Sequence, residues 1–157
     1  MTKIMRYTIP PTPDALAEQV GQEIGISPWL DVSQDTIDTF ADATGDHQWV
    51  HVDPVRAATS PFGTPIAHGY LILSLASGLL LDMFGFGESV TVLNYGLDKV
   101  RFPASVPAGT PVRLRAELLS AEPKGPGTQI KVRATFEAKG IERPVCVAEI
   151  LWRVLPA

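Results

Sequence analysis

Hydrophobic and polar residues alternate along most of the C-terminal half of this chain. Apolar side chains occupy every second position in residues 112–118 and 130–138, with polar or charged side chains between them, and residues 144–154 continue the pattern. A period of two is typical of antiparallel strands that bury one face. These segments are therefore predicted to be strands. Residues 90–102 are predicted to form a further strand, interrupted near Gly96.

Residues 66–84 are apolar on nearly every side of a helix. The segment also contains His68, two serines and two glycines, approaches its end at Asp82 and has no cationic flank. These features favour a buried central helix over a membrane span. Strands with one apolar face can bury that face, and the apolar helix, if the sheet they form wraps around the helix. The predicted fold class is therefore α+β.

Three shorter helices are predicted upstream, each beginning after a residue that can cap a helix. The predicted caps are Thr12, Ser33 and Asp53. The first helix is expected to stop near Gly21, and the second at Gly45, because glycine readily adopts the conformation that ends helices. The third is expected to be a single turn to about residue 58. Residues 27–32 are predicted to be a strand or an extended lead-in, and residues 60–65 a loop.

Composition narrows the possible classes of protein. The length of 157 residues predicts one domain, residues 1–157, and 45% hydrophobic residues are enough for a core. The net charge of −4, without a basic stripe, argues against nucleic acid as a partner. The single Cys146 excludes an intrachain disulfide and is interpreted as a core residue. Because the N-terminal residues lack a signal-peptide-like apolar run, a cytoplasmic location without membrane attachment is expected.

Asp46 and His51 are the candidate acid–base pair. They follow Gly45 and stand five residues apart, so on a helix they would be separated by about 140°. The backbone must therefore leave the helix if the two groups act together, as in an active-site loop. A carboxylate can orient an imidazole or hold a water molecule, and histidine titrates near neutral pH. On spacing alone, a turn aspartate and a hydrogen-bonded histidine are the more common interpretation.

His68 and Gly69 lie near the predicted start of the apolar helix. Helix N-termini expose unpaired N–H groups that can stabilise an oxyanion, and glycine allows close approach to the backbone. The alternative is that Gly69 only permits close helix–sheet packing. Ser77 lies two turns further on a similar face and either touches a substrate or bonds to its own helix. No metal site is expected, because His47, His51 and His68 lack regular ligand spacing.

Four segments together resemble the MaoC-like dehydratases, which include the (R)-specific enoyl-CoA hydratases, or hydratase 2 enzymes. They are FADATGDHQWVHVD at residues 40–53, PIAHG at 65–69, SLASG at 74–78 and NYGLDKVRFP at 94–103. The GDHQWVH form and the last segment are similar to the nodulation-protein-N-like branch. The resemblance extends over roughly residues 12–155. It implies a hotdog fold, in which an antiparallel sheet wraps a long central helix, and a homodimer with pockets at the subunit interface.

The resemblance also implies a reaction, the reversible addition of water to a trans-2-enoyl thioester to give an (R)-3-hydroxyacyl thioester. Carried over by position, Asp46 and His51 hold the water and move its protons, and the Gly69 N–H binds the thioester oxygen. Ser77 and His68 are expected near the substrate. Many hydratase 2 enzymes have Asn-Pro where this chain has Gln48-Trp49, which makes these two residues candidates for shaping the pocket.

No metal or redox cofactor is expected, because coenzyme A or acyl carrier protein would be part of the substrate. Lys99 and Arg101 are candidates to hold its phosphates, although charged residues on a strand usually face solvent. Two other functions remain open. A thioesterase on the same fold would release free thiol, and a non-catalytic subunit would bind acyl thioesters without turnover.

Overall fold

The computed structural model describes residues 10–157 and contains one antiparallel sheet and one long helix. The strands are β1 (Glu23–Ile26), β2 (Leu30–Val32), β3 (Val90–Arg101), β4 (Thr110–Lys124), β5 (Gly127–Ala138) and β6 (Ile141–Pro156). Their order in the sheet is β1-β4-β5-β6-β3, and β2 pairs with β4 beside β1. Every pairing is antiparallel, as the alternating pattern predicts.

The helices are α1 (Pro13–Glu18), α2 (Gln34–Thr44), α3 (Trp49–Val52), α4 (Pro54–Ala58) and α5 (Gly69–Phe84). The three predicted caps are confirmed, since Thr12, Ser33 and Asp53 each accept a hydrogen bond from a backbone N–H in the first turn. The pattern of apolar residues does not predict the short helix α3, because four residues are too few to show a helical period.

The sheet wraps around α5, which confirms the predicted hotdog arrangement. The inward-facing residues of β4, β5 and β6 are almost completely buried and form one core with Leu71, Ile72, Ala76 and Leu80 of the helix. Cys146 is part of this core, as predicted, and burial raises the pKa of its thiol to about 11. No helix within residues 10–157 is long and apolar enough to cross a membrane.

Two expectations for the central helix need correction. It begins at Gly69 rather than at residue 66, because Ile66 forms a β-bridge with Pro107 and its carbonyl, which a helix would use as an acceptor, is bonded to His51 Nδ1. Nor is the helix buried on all sides, since Tyr70 and Leu81 are 70% and 45% exposed. One curved sheet covers only one side of a helix, so the opposite apolar stripe stays uncovered in a single chain.

Residues 27–32, predicted to be a strand or an extended lead-in, contain both kinds of structure. Ser27 and the two residues after it separate β1 from β2, and the strand β2 follows. The Ser27 hydroxyl accepts a hydrogen bond from the Leu114 N–H, and the Ser27 N–H donates to the Leu114 carbonyl. A side chain thus replaces part of the strand ladder at this break.

Candidate active site

The loop after α2 holds the carboxylate of Asp46. Gly45 ends the helix in the left-handed conformation, with φ of 79°, and its N–H donates to the carbonyl of Ala41. One oxygen of Asp46, Oδ1, accepts from the Gln48 N–H at 3.3 Å, which closes a tight turn. The side chain of Asp46 is 52% exposed. The other carboxylate oxygen, Oδ2, is therefore held at a surface and remains open to a ligand.

His51 lies on α3 with a defined tautomer. Its Nδ1 lies 2.7 Å from the carbonyl oxygen of Ile66, and because a carbonyl can only accept, Nδ1 carries the proton. In the neutral ring Nε2 is then unprotonated, and it lies 4.0 Å from Asp46 Oδ2. Gln34 of α2 donates to the His51 carbonyl at 2.8 Å and so fixes α3 against α2. The imidazole consequently presents an acceptor nitrogen to the carboxylate.

His68 ties the Asp46 loop to the start of α5. Its Nε2 donates to the backbone carbonyl of Asp46 at 2.9 Å, and its ring stacks on that of His51 with centroids 3.8 Å apart. Only 3% of the residue is exposed. Phe40 packs against the ring from α2, with centroids 5.0 Å apart. The two histidine rings and the loop therefore form one packed unit.

A cavity of about 520 Å³ opens beside this unit. Its lining residues come from α2, the following loop, α3, α5 and the segment after β3: Phe40, Thr44, Asp46, His51, His68, Gly69, Tyr70 and Phe102. A smaller cavity of about 200 Å³ continues past Phe102 and shares His51 and Gly69. The arrangement thus combines an acid–base pair, a helix N-terminus and an apolar wall in one concave site.

Gly69 supplies the backbone of the cavity wall. It is the first residue of α5, so its N–H has no acceptor within the helix, and none among residues 10–157. A Cβ at this position would lie 3.0 Å from Cγ of Phe102. A side chain at this position would crowd the Phe102 ring, and glycine leaves the N–H accessible.

The side chains of Asp46, His51 and His68 can place one ligand atom each within 4.8 Å of one another. The hydrogen bonds argue against a metal between them. His68 Nε2, the atom that faces Asp46 Oδ2 at 3.9 Å, carries a proton that it donates to the Asp46 carbonyl. A metal there would have to displace this proton. The expected absence of a metal site stays a prediction.

The structure does not bring every predicted site residue to this cavity. Gln48 is exposed and occupies the N-cap position of α3 without a side-chain hydrogen bond to the helix. Trp49 stacks with Arg56, whose guanidinium carbon lies 4.4 Å from the ring centroid. Lys99 is an exposed residue 3.9 Å from Glu149, and Arg101 donates to the carbonyl of Val100. None of these four lines the cavity.

Ser77 and His47 also lie away from the acid–base pair. Ser77 lines a separate cleft between α5 and β3. His47 lies at the surface, 2.8 Å from the carboxylate of Asp42, and this hydrogen bond raises the pKa of His47. His47 therefore takes no part in the site, although it stands between Asp46 and His51 in the sequence.

Sequence reasoning misses several contributors to the site. The carbonyl of Ile66 sets the tautomer of His51, and Phe102 and Phe40 form the apolar wall. Nothing in the sequence signals the first, because any residue carries a carbonyl. Helical spacing indicates only that Phe40 is buried. Nothing in the sequence indicates that Phe102, which follows β3, contacts the distant Gly69.

Comparisons with known proteins find relatives that match most of this chain. The family described as a MaoC like domain matches residues 15–140. The 3-hydroxyacyl-thioester dehydratase Z of Mycobacterium tuberculosis is 48% identical over 88% of this chain and 92% of its own. Nodulation protein N of Rhizobium leguminosarum is 46% identical over 83% of each chain. The solved (R)-hydratase from Aeromonas caviae involved in PHA biosynthesis aligns with a TM-score of 0.73 and 26% identity, over 87% of this chain and 96% of its own.

Proposed function

Because this chain belongs to the MaoC like domain family, we propose that it is a hydratase and dehydratase of 3-hydroxyacyl thioesters. The finer proposal is an (R)-specific enoyl-CoA hydratase, which adds water to trans-2-enoyl thioesters with syn stereochemistry. The observation that carries the proposal is the pairing of His51 Nε2 with Asp46 Oδ2 beside the unpaired N–H of Gly69. A carboxylate, a neutral imidazole and an oxyanion donor are the groups that this reaction needs.

The separation of 4.0 Å between Asp46 Oδ2 and His51 Nε2 is too long for a direct hydrogen bond. A water molecule that bonds to both atoms would bridge this distance. In the proposed hydration step, the pair removes a proton from this water as its oxygen forms the bond to C3. The pair then delivers this proton to C2 from the same side, which completes the addition and restores both groups. In the proposed reverse step the pair removes the C2 proton and returns it to the C3 hydroxyl, which leaves as water.

The Gly69 N–H is proposed to bind the thioester oxygen. Attack at C3 moves an electron pair onto that oxygen, and an enolate forms. Gly69 begins a helix of 16 residues, so the backbone dipole adds a partial positive charge at the same place. Removing one such donor costs about 10²- to 10³-fold in turnover in enzymes with oxyanion sites.

Two substitutions at Gly69 distinguish the effect of losing the N–H from the steric effect of adding a side chain. Gly69→Pro removes the N–H, and proline is well tolerated at the first position of a helix. The preceding His68 has φ of −60° and ψ of 135°, the conformation that proline favours in its neighbour. Gly69→Ala is the matched control, because it also adds a Cβ against Phe102 but keeps the N–H. Gly69→Pro is expected to turn over about 10²-fold more slowly than Gly69→Ala. Equal rates would contradict the oxyanion role.

The reaction is tested with purified protein and trans-2-enoyl-CoA substrates of several chain lengths. The expected result is loss of the conjugated enone absorbance without release of thiol, with (R)-3-hydroxyacyl-CoA as product. Thiol release would indicate a thioesterase instead, and binding without turnover would indicate a non-catalytic subunit. The proposal includes no metal or redox cofactor, so activity is expected to survive treatment with a chelator.

The carrier is proposed to be coenzyme A or acyl carrier protein, with Lys99 and Arg101 near its phosphates. Both cations lie at the end of β3 that leads to Phe102 in the cavity wall. Their exposure would leave them free to meet a mobile diphosphate. If Arg101→Gln raises the KM for crotonyl-CoA but not for the crotonyl thioester of N-acetylcysteamine, which has no phosphate, the result would support this role. An equal rise for both thioesters would contradict it.

A homodimer is also proposed. β3 is an edge strand, and next to it lies the uncovered stripe of α5. Tyr70, Tyr95 and Leu97 on this face are 70%, 59% and 48% exposed, so the face is apolar and unusually open for a monomer. A second copy is expected to cover it. Light scattering coupled to size-exclusion chromatography should give twice the chain mass of 16.9 kDa. A monomer at micromolar concentration would contradict this proposal.

A further inference from the structure

The cleft between α5 and β3 contains a polar group that the proposed reaction does not use. The cleft has a volume of about 400 Å³, and most of its walls are apolar, from Leu73, Leu97 and Ile150. Asn94 also lines it. Asn94 is exposed at the open side of the cleft, and its side chain lies on the inner face of the sheet because its strand partner is the buried Trp152. The hydroxyls of Ser74 and Ser77 also line the cleft but donate to Tyr70 and Asn94, so the amide of Asn94 is the candidate to select what enters.

The hydrogen bonds of Asn94 fix which way its amide points. The indole N–H of Trp152 donates to Asn94 Oδ1 at 2.8 Å, and an indole N–H can only donate. The Ser77 hydroxyl donates to the same oxygen at 3.4 Å. The oxygen is thus turned into the protein and both of its acceptor positions are used. The two N–H bonds of Nδ2 have no acceptor within residues 10–157.

A break in the strand pairing supports this placement. The register between β3 and β6 shifts between Asn94 and Gly96, where β3 has one extra residue. Such bulges redirect side chains and are frequent beside functional sites. Here the extra residue lets Asn94 and Leu97, three positions apart, both face the cleft.

One row of side chains on α5 leads from the catalytic cavity to the cleft. Gly69, Leu73 and Ser77 follow one another at spacings of four, so they share a ridge of α5. From Gly69 to Ser77 the helix rises about 12 Å. A thioester held at the Gly69 N–H could therefore extend its acyl chain along this ridge as far as Asn94. The proposed dimer would roof the cleft, because its open side is the uncovered face of α5 and β3.

We propose that Asn94 is a specificity-determining residue that selects acyl chains carrying an acceptor oxygen, such as a ketone, in their distal half. This inference rests on the proposed hydratase function. A plain hydrocarbon chain would displace water from the two N–H groups of Asn94 without providing an acceptor, and this lowers the binding affinity. A chain with an oxygen at that depth restores the hydrogen bond. The apolar walls favour the acyl chain over the polar pantetheine arm as the occupant.

The test compares trans-2-decenoyl-CoA with its 7-oxo, 8-oxo and 9-oxo derivatives, and with crotonyl-CoA, which is too short to reach Asn94. In Asn94→Asp the carboxylate still accepts from Trp152 and Ser77, so the fold is kept while both donors are lost. The ratio of kcat/KM for the best oxo substrate over the plain chain should fall about tenfold in Asn94→Asp. Asn94→Leu should show the same fall. Thr91→Val, on the outward face of the same strand, should leave the ratio unchanged.

Three results would overturn the inference. An unchanged ratio in both Asn94 variants would show that the amide does not select the chain. An equal loss with crotonyl-CoA would place the hydrogen bond on the pantetheine arm. A change of oligomeric state without a change of ratio would show that Asn94 belongs to the subunit contact. If the wild-type protein hydrates no enoyl thioester, the proposed function itself fails, and this outcome is distinct from the other three.

Discussion

Asp46→Asn isolates the carboxylate of the proposed acid–base pair. The substituted amide can still accept from the Gln48 N–H, which holds the turn, and the side chain is 52% exposed. Folding stability should therefore change by less than about 1 kcal/mol. The second amide atom is a donor and would face His51 Nε2, 4.0 Å away in the wild type. The variant thus loses the carboxylate as a base. The new amide N–H is expected to bond to Nε2 of His51, which blocks the second base.

The expected loss follows from the role assigned to the pair. Acid–base catalysis by a positioned side chain contributes about 10²- to 10⁴-fold to a rate. This corresponds to roughly 3–5 kcal/mol of barrier, at about 1.4 kcal/mol per factor of ten. We expect kcat for crotonyl-CoA hydration to fall by at least about 10²-fold. KM should change much less, because the apolar walls of the cavity remain.

The assay follows the enone absorbance, with thermal unfolding of each variant measured in parallel. Asp42→Asn is the matched control. It removes a carboxylate from the same region, but that carboxylate is 79% exposed, pairs with His47 and lies outside the cavity. Asp42→Asn should retain wild-type kcat. A kcat for Asp46→Asn within about threefold of wild type, with the fold intact, would refute the assignment of Asp46 to the chemistry.

Three further predictions concern the fold. Gly127→Ala should destabilise the protein by about 1–3 kcal/mol in urea unfolding, because the new Cβ would lie 2.1 Å from the Val154 carbonyl oxygen; wild-type stability would contradict this packing. Native Cys146 should resist alkylation at pH 8 and react only after unfolding, since burial raises its thiol pKa to about 11; rapid modification of the folded protein would refute its burial. The hydrogen bond from Arg113 lowers the pKa of Glu137, so its stabilising contribution exists above the unfolded pKa and is lost as pH falls through the folded pKa. Glu137→Gln should therefore melt below wild type at pH 7 and converge with it in acid, and a constant difference in Tm across this range would contradict the pKa shift.

Much of the fold can be predicted because it depends on local interactions. Alternation with a period of two places apolar residues on one face of each strand, whatever the neighbouring strand is. The caps at Ser33 and Asp53 act on N–H groups three residues away, and Gly45 ends α2 through its own backbone conformation. The five-residue spacing of Asp46 and His51 likewise excludes a shared helical face, since the angle between two positions on a helix depends only on their separation in the chain.

The site depends on contacts between residues far apart in the chain. His51 owes its tautomer to the carbonyl of Ile66, and His68 reaches back to the carbonyl of Asp46. The amide of Asn94 is oriented by Trp152, which is 58 residues away. A sequence carries no signal for which carbonyl or indole will meet a given side chain. Sheet pairing and helix packing decide those distances.

The sequence by itself determined which residues could do chemistry here and that a turn had to separate Asp46 from His51. Only the tertiary structure decided that Trp49 stacks on Arg56 outside the cavity, and that His68 donates a hydrogen bond to the backbone of the Asp46 loop. The reason is physical. Caps and alternation act over a few residues, whereas protonation, access and cavity shape follow from how distant backbone groups pack together.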